Sequence, residues 1–218
     1  LQLAGRRAKR RGLSEDAIFN AGFVALLVGL VGARLGYVVL HWSAYQDDLA
    51  GVLALTTGGL SVPAGLLVGV AGAALYLRRH RPPAAALLDV LAPALALMLA
   101  FVSLADLSSG AAYGQISDVP WAIDLWGARR HPTQLYELLA ALLALGLLLK
   151  VESRRPYPGF LFGLFVAVYS GARLFLAAFR ADPWVLAGGY RAAQVISLAA
   201  LLAALWWMSQ RTVTRAES

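Results

Sequence analysis

The chain has 218 residues, of which 60% are apolar and only 14% are charged. Soluble domains typically contain about 45–50% apolar and about 25% charged residues, so this composition excludes an ordinary soluble domain and a disordered chain. The sequence contains no cysteine, which excludes disulfides, thiolate metal sites and a cysteine nucleophile. The net charge is +7, and basic clusters in so apolar a chain are more typical of cytoplasmic loops facing anionic lipids than of nucleic-acid binding.

The chain opens with a short basic segment. It precedes a long apolar stretch that carries Arg34, and this arrangement argues against a cleaved signal peptide. Because the first residue is Leu1, we expect the chain to be truncated, with an upstream helix ending near this point. The charged residues of the segment are Arg6, Arg7, Lys9, Arg10 and Arg11.

Six stretches contain about 20 mostly apolar residues, the length that a helix needs to span a bilayer. They lack the alternating polarity of membrane β-strands, so a helix, which satisfies its own backbone hydrogen bonds, is predicted for each. The sequence therefore predicts an all-α membrane bundle with six transmembrane helices, or seven with the upstream helix, as a single integral-membrane domain over residues 1–218. The predicted spans are residues 17–41, 60–77, 84–105, 132–150, 159–179 and 191–208.

Lysine and arginine are distributed unequally between the two sides of the predicted bundle. Most of the 19 basic residues lie on the side that holds both termini. The positive-inside rule therefore places both termini in the cytoplasm. The loops around Asp47, Asp118 and Asp182 are predicted to lie on the outer side.

Small residues recur four positions apart in three of the predicted spans. This spacing lets helix backbones approach closely in lipid, and it predicts a compact bundle. The pairs are Gly32 and Gly36, Gly65 and Gly69, and Gly159 and Gly163.

Charged side chains inside a membrane span are costly and therefore point to function. Arg173 lies in the fifth span and Arg180 follows seven residues later, so both fall on one helical face. Two guanidiniums on one face suit a lipid phosphate, although Arg180 equally suits an anchor at the outer interface. For Arg34, a functional role and a hydrogen bond to a carbonyl of another helix both stay open. Asp89 is a candidate for a salt bridge with an arginine of the loop before its span.

The densest polar cluster is Arg-His-Pro-Thr-Gln-Leu-Tyr-Glu at residues 130–137. Thr133 and Glu137 are four residues apart and face the same side of a helix. His131 is a candidate for proton transfer, because imidazole exchanges protons near neutral pH. Spacing alone leaves two alternatives open, in which His131 caps a helix and Glu137 forms a structural salt bridge with Arg130.

The sequence shows no spacing typical of metal ligands, of a phosphate loop or of a Ser-His-Asp triad. The three histidines, His41, His80 and His131, lie on different connections between the predicted spans. We therefore expect neither a metal nor a cofactor.

Taken in chain order, these motifs resemble those of the bacterial prolipoprotein diacylglyceryl transferases. Residues 130–137 match the family's Arg-His-Pro-Ser/Thr-Gln-Leu-Tyr-Glu in full. The basic residues 3–10 resemble the stretch after the family's first helix, which would be the missing one. The resemblance covers nearly the whole chain, through further segments at residues 32–38, 57–61, 65–67, 89–93, 169–180 and 194–198.

The resemblance implies an enzyme of lipoprotein biosynthesis in the bacterial inner membrane. Family members move a diacylglyceryl group from phosphatidylglycerol to the lipobox cysteine thiol of a prolipoprotein at the outer side of the membrane. The implied partners are phosphatidylglycerol, the lipobox segment and membrane lipid, with no nucleic acid. Paired arginines would neutralise the leaving glycerol phosphate, and a base would take the thiol proton.

The resemblance also implies the residues of the site. The implied catalytic residues are Arg173, His131 and Glu137. The implied substrate-binding residues are Arg34, Tyr37, Arg130, Gln134, Tyr136, Arg180, Gly114 and Asp106.

The chain departs from the family's central motif, Gly-Arg-x-Gly-Asn-Phe-x-Asn-Gly-Glu-x-x-Gly, which falls on residues 102–114. Ser103, Asp106 and Ala111 stand where the family has Arg, Asn and Glu. Outside this motif, Pro63 replaces a His and Ala177 replaces a Glu. Two interpretations follow from these differences. One is a divergent, active transferase, and the other is a catalytically degenerate relative that binds a lipid or a partner in the membrane.

Overall fold

The computed structural model describes residues 2–46, 49–54 and 58–216, with only the backbone of residues 212–216. Asp47 and Thr57, which the sequence analysis placed in an outer loop and in a family motif, lie outside the described residues. The chain divides into two compact units, Leu1–Leu87 and Leu88–Ser218. The single domain expected from the sequence stays a prediction.

In the described part of the chain, six helices are long and apolar enough to cross a membrane. They confirm the predicted polytopic helical fold. Their ends lie within four residues of the predicted spans, except that the last helix continues to Ala216, eight residues beyond the predicted end. A shorter basic helix precedes them. In chain order the helices are α1 (Gln2–Arg10), α2 (Glu15–Leu40), α3 (Val62–His80), α4 (Ala84–Ser109), α5 (Thr133–Val151), α6 (Phe160–Leu176) and α7 (Ala192–Ala216).

In the first unit, α2 and α3 pack through glycines. A Cβ atom on Gly29 would lie 3.0 Å from the carbonyl oxygen of Gly65, and one on Gly69 would lie 2.7 Å from that of Ala25. A Cβ on Gly36 would overlap the side chain of Ala64. The close approach expected from the glycine spacing is therefore confirmed for this helix pair.

In the second unit, small side chains of α4 pack against larger ones of α5 and α6. Ala92 and Ala96 of α4 form a buried cluster with Leu148 of α5 and with Leu161 and Phe165 of α6. Alanines on one helix leave room for the larger side chains of the next, which keeps the packing dense without overlap.

A short antiparallel hairpin precedes α5, and helix periodicity did not predict it. Its strands are β1 (Ile123–Leu125) and β2 (Ala128–Arg130). The two turn residues, Trp126 and Gly127, both have positive φ, at 55° and 74°. This is the backbone of a type I′ turn, which matches the twist of paired strands. Three-residue strands are too short to show a period in the sequence.

Asp89 of α4 caps the beginning of α6. The carboxylate is fully buried and accepts hydrogen bonds from the backbone N–H groups of Gly159, at 2.9 Å, and Phe162, at 3.1 Å. The guanidinium of Arg155 lies 3.9 Å from the same carboxylate. A negative charge at a helix N-terminus satisfies backbone donors and interacts favourably with the helix dipole. The sequence pointed to an arginine of the loop before α4, whereas Arg155 follows α5.

Replacing Asp89 with Ala should lower the free energy of unfolding of the second unit by about 2–4 kcal/mol, because two buried N–H groups lose their acceptor. The measurement is the thermal unfolding of the detergent-solubilised protein. Asp124→Asn, at an exposed position of β1, serves as the control and should change the melting temperature little. Equal melting temperatures for Asp89→Ala and the unmodified chain would contradict this role.

Candidate functional site

The carboxylate of Glu137, in the second turn of α5, lies at the centre of a charged cluster. Its Oε1 atom accepts a hydrogen bond from Arg173 Nη1 at 2.6 Å and another from Arg180 Nη1 at 3.4 Å. Only 8% of the Glu137 side chain is exposed. A buried carboxylate without partners would strongly destabilise the fold, so the two arginines are needed for its burial. The sequence analysis left open a salt bridge between Glu137 and Arg130. In the described part of the chain Glu137 instead forms ion pairs with Arg173 and Arg180.

Arg180 follows the 3₁₀ turn Ala177–Phe179 that ends α6, and it has a second carboxylate partner. Its Nε and Nη2 atoms donate to the two carboxylate oxygens of Asp182, each at 3.0 Å. Burial alone lowers the pKa of Arg180, but the hydrogen bonds and charges of Asp182 and Glu137 raise that pKa above its ordinary value. Arg180 therefore stays charged in this cluster.

Arg191 belongs to the same region, although the sequence analysis did not select it. Its Nη1 atom donates to the carbonyl oxygens of Ala177, at 2.7 Å, Ala178, at 2.8 Å, and Arg180, at 3.2 Å. A cation at the carbonyls that follow the end of a helix stabilises that end, so Arg191 fixes the backbone that carries Arg180. No spacing rule connects Arg191 to the end of α6, so the sequence contained no signal for this contact.

A cavity of about 360 Å³ lies beside these arginines. Arg173, Arg180, Arg191 and Asp182 contribute its charged lining, and apolar side chains such as Ile196 complete it. Together with Glu137, the cluster carries three positive and two negative charges, which leaves one net positive charge. Guanidiniums beside an apolar wall suit an anionic group that is attached to an apolar chain.

Residues at the start of α5 form hydrogen bonds with the segment that directly follows α4. Thr133 Oγ1 donates to the carbonyl of Ala112 at 2.6 Å, and Gln134 Nε2 donates to that of Ala111 at 2.7 Å. The Oε1 atom of Gln134 is buried without a hydrogen-bond partner among the described residues. Thr133 and Gln134, both almost fully buried, therefore fix the backbone of this segment.

Arg130 and Gly114 join the same segment to the hairpin. Arg130 Nε donates to the carbonyl of Leu125 at 3.0 Å and Nη1 to that of Gly114 at 3.4 Å, and its guanidinium lies over the ring of Tyr113. A Cβ atom on Gly114 would overlap the carbonyl and Cβ of His131. The hydrogen bonds of Arg130 thus give this side chain a structural role, and the lack of space for a Cβ atom explains the glycine at position 114.

His131 and Tyr136 contact each other. The distance from His131 Nδ1 to the Tyr136 hydroxyl is 3.2 Å, and both rings pack edge-on against Phe179. They line a second cavity, of about 490 Å³, whose other walls are almost entirely apolar. Phe179 lies in the short turn that directly precedes Arg180, so the aromatic group and the charged cluster share one backbone segment.

The three positions at which the sequence analysis found departures from the resembled central motif lie at the end of α4 and just after it. The Ser103 hydroxyl donates to the carbonyl of Leu99 within its own helix. Asp106 is half-buried, with no side-chain partner among the described residues. The carbonyl of Ala111 accepts the hydrogen bond from Gln134. The predicted role of Asp106 in substrate binding stays a prediction.

Arg34 and Tyr37 belong to the first unit. Arg34 is buried and donates to the carbonyl oxygens of Gly51, Val52 and Gly59 at 2.6–2.8 Å. The sequence analysis offered a hydrogen bond to a carbonyl of another helix as the structural alternative. The acceptors are carbonyls, but they lie in the connection between α2 and α3, which Arg34 ties to α2. The Tyr37 ring stacks on His41 with 4.1 Å between the ring centroids. The substrate-binding role predicted for Arg34 and Tyr37 stays a prediction.

Within the described residues, no three His, Asp or Glu side chains lie close enough together to hold a metal ion. The site is therefore built from guanidiniums, carboxylates and aromatic rings on a helical membrane scaffold. These features define a polytopic membrane protein with a charged, arginine-lined cavity.

Comparison with known proteins identifies the family. Residues 1–210 match the family model described as prolipoprotein diacylglyceryl transferase. The chain is 32% identical over 196 residues to the phosphatidylglycerol–prolipoprotein diacylglyceryl transferase of Clostridioides difficile, covering 90% of this chain and 79% of the relative. It is 33% identical over 231 residues to the protein of the same name from Symbiobacterium thermophilum, covering 99% and 86%. It is 30% identical over 202 residues to the protein of that name from Finegoldia magna, covering 92% of this chain and 81% of the relative.

The chain belongs to the prolipoprotein diacylglyceryl transferase family. This confirms the resemblance that the sequence motifs indicated. Together with the six apolar helices, the family identifies a multi-pass protein of the bacterial inner membrane.

Replacing Gly114 with Ala should displace the backbone of His131, because the added Cβ has no room there. Overpacking of this kind typically costs about 1–3 kcal/mol of stability. Gly146→Ala is the matched control, since a Cβ at that position of α5 would meet no atom within 4 Å. In thermal unfolding in detergent, Gly114→Ala should melt below the unmodified chain and Gly146→Ala at or above it. The same melting temperature for both variants would contradict the predicted overlap.

Proposed function

We propose that this chain is a phosphatidylglycerol–prolipoprotein diacylglyceryl transferase that uses the Arg173–Glu137–Arg180 cluster at the leaving phosphate. The single observation that carries the proposal is the convergence of both guanidiniums on one buried carboxylate beside a cavity. Family membership and the names of the relatives support the reaction type.

In the proposed reaction, the thiol sulfur of the lipobox cysteine forms a bond to the glyceryl carbon of the lipid. The bond between that carbon and the phosphate oxygen breaks, and glycerol phosphate leaves with the electron pair. Negative charge grows on the leaving oxygen, and positioned guanidiniums stabilise it. The thiol proton passes to a base.

Arg173 is the arginine best placed to contact the phosphate. It lines the cavity, and 30% of its side chain is exposed. Arg180 is more buried and is held at both ends of its guanidinium by carboxylates, so it contributes mainly charge. Glu137 positions both groups. Arg130, Gln134 and Gly114 act indirectly, by holding the backbone around the site.

The family's central arginine is absent in this chain, and Ser103 does not replace its charge. Relative to the family motifs, the substitutions at residues 103, 106, 111 and 177 remove one guanidinium and two carboxylates and add one carboxylate, so the summed charge of these positions is unchanged. Arg191 supplies a further cation to the cavity. This balance of charge supports the divergent, active transferase.

Arg173→Ala should reduce transfer by about 10²–10³-fold, the usual effect of removing one group that stabilises developing charge. The assay uses proteoliposomes that contain phosphatidylglycerol and a lipobox peptide, with the protein expressed from its complete gene. It measures the thioether product and the glycerol phosphate released with it in equal amounts. Arg79→Ala, an exposed arginine at the end of α3, is the matched control and should leave the rate unchanged.

Full activity of Arg173→Ala would contradict the assigned role of this arginine. If the unmodified protein forms no product but still binds phosphatidylglycerol, the transferase proposal is wrong, and a lipid-binding relative without the chemistry remains.

We further propose that both termini lie in the cytoplasm and that the site lies near the outer face, as the distribution of basic residues supports. Because the chain has no cysteine, single cysteines at exposed Asp118 and Asp124 give a clean test. Asp118→Cys and Asp124→Cys should react in intact cells with a membrane-impermeant maleimide. Arg79→Cys should react only after the membrane is permeabilised. The opposite labelling pattern would reverse the proposed topology.

A further inference from the structure

Three side chains form a hydrogen-bonded chain at the apolar cavity beside α5 and α6. Trp121 Nε1 lies 2.6 Å from the Tyr136 hydroxyl oxygen, and that oxygen lies 3.2 Å from His131 Nδ1. All three residues line the cavity of about 490 Å³. Trp121 is not part of any motif that the sequence analysis selected.

The chemistry of Trp121 fixes the direction of one hydrogen bond, and the need of the Tyr136 hydroxyl proton for an acceptor favours the direction of the other. An indole N–H can only donate, so the Tyr136 oxygen accepts from Trp121. The Tyr136 hydroxyl proton is then left to donate, and His131 Nδ1 is its partner among the described residues. A neutral imidazole carries one proton, so an accepting Nδ1 requires that this proton sit on Nε2.

The surroundings hold this arrangement in place. The rings of His131 and Phe179 pack edge to face with 5.1 Å between centroids, and those of Tyr136 and Phe179 with 6.2 Å. The backbone N–H of His131 donates to the carbonyl of Gln115 at 3.0 Å. His131 therefore has a fixed backbone and a ring confined by two aromatic neighbours.

We propose that Trp121 and Tyr136 are positioning residues that fix His131 as the neutral Nε2–H tautomer, so that His131 offers a hydrogen-bond donor to its ligand. As this tautomer, His131 has no lone pair on Nε2 and does not accept a thiol proton there. It instead suits an acceptor oxygen of a glycerolipid in the adjacent cavity. The tautomer stands on the contacts alone, whereas the donor role in catalysis rests on the proposed transferase function.

The other two histidines provide an internal contrast. His41 Nδ1 lies 3.0 Å from the carbonyl oxygen of Tyr37, and His80 Nδ1 lies 3.2 Å from that of Tyr76. A carbonyl oxygen only accepts, so these contacts require the proton on Nδ1. The structure therefore assigns opposite tautomers to His131 and to the other two histidines.

Nitrogen-15 NMR of the histidine-labelled protein in detergent, at a pH where the imidazoles are neutral, tests the tautomer directly. The two ring nitrogens are distinguished by their couplings to the ring protons, and His131→Gln identifies the His131 signals. We expect His131 to be almost entirely Nε2–H, beyond the moderate Nε2–H preference of a free histidine side chain, and we expect the Nδ1–H fraction to increase in Tyr136→Phe, which keeps the aromatic packing. A predominant Nδ1–H signal for His131, or no change in Tyr136→Phe, would overturn the proposal.

The transfer assay tests the donor role separately. A glutamine amide donates a hydrogen bond but is not a base, so His131→Gln should lose only about tenfold in rate, the effect of about 1.4 kcal/mol. His131→Phe, which has neither property, should lose more. Removing a general base typically costs about 10²–10⁴-fold, so a loss of that size in His131→Gln would overturn the donor role. An inactive unmodified protein with the expected NMR signals would contradict the transferase function and leave the tautomer assignment standing.

Discussion

A buried carboxylate must be paired, and in this protein the pairing of Glu137 organises the site. Its oxygen holds Arg173 of α6 and Arg180 just after α6, which brings the beginning of α5 and the end of α6 into register. Because an unpaired charge in this position would cost several kcal/mol, the three side chains are expected to act as one unit. The cluster explains how two arginines remain close together despite their mutual repulsion.

The contacts around this cluster give the residues of the motif at 130–137 three different structural roles. At the start of α5, Thr133 and Gln134 hold the segment that follows α4, and Glu137 holds the arginines. His131 belongs to an aromatic group that faces a different, apolar cavity. The two cavities share α6 and the turn after it, since Arg173 lines one and Phe179 the other. A charged cavity next to an apolar cavity suits a lipid that has an anionic headgroup and apolar chains.

Much of the fold was predictable because long apolar stretches are a strong signal for membrane helices. The seven-residue spacing predicted that Arg173 and Arg180 share one helical face. The structure instead ends α6 at Leu176 and gives Arg180 an extended backbone, and the two guanidiniums meet because both bind Glu137. The hairpin at residues 123–130 was missed because its strands are too short to show a period. Arg191 and Trp121 were missed for a different reason: their partners lie on other segments, and contacts between segments distant in sequence leave no local pattern.

The central claim is that Glu137 and Arg173 are energetically coupled, and a double-mutant cycle measures this directly. The free energy of unfolding in detergent would be determined for Glu137→Gln, Arg173→Gln and the double variant. The account predicts that the double variant loses less stability than the sum of the single variants, by about 1–3 kcal/mol. Additivity within about 0.5 kcal/mol would contradict the claim that these two side chains form one unit.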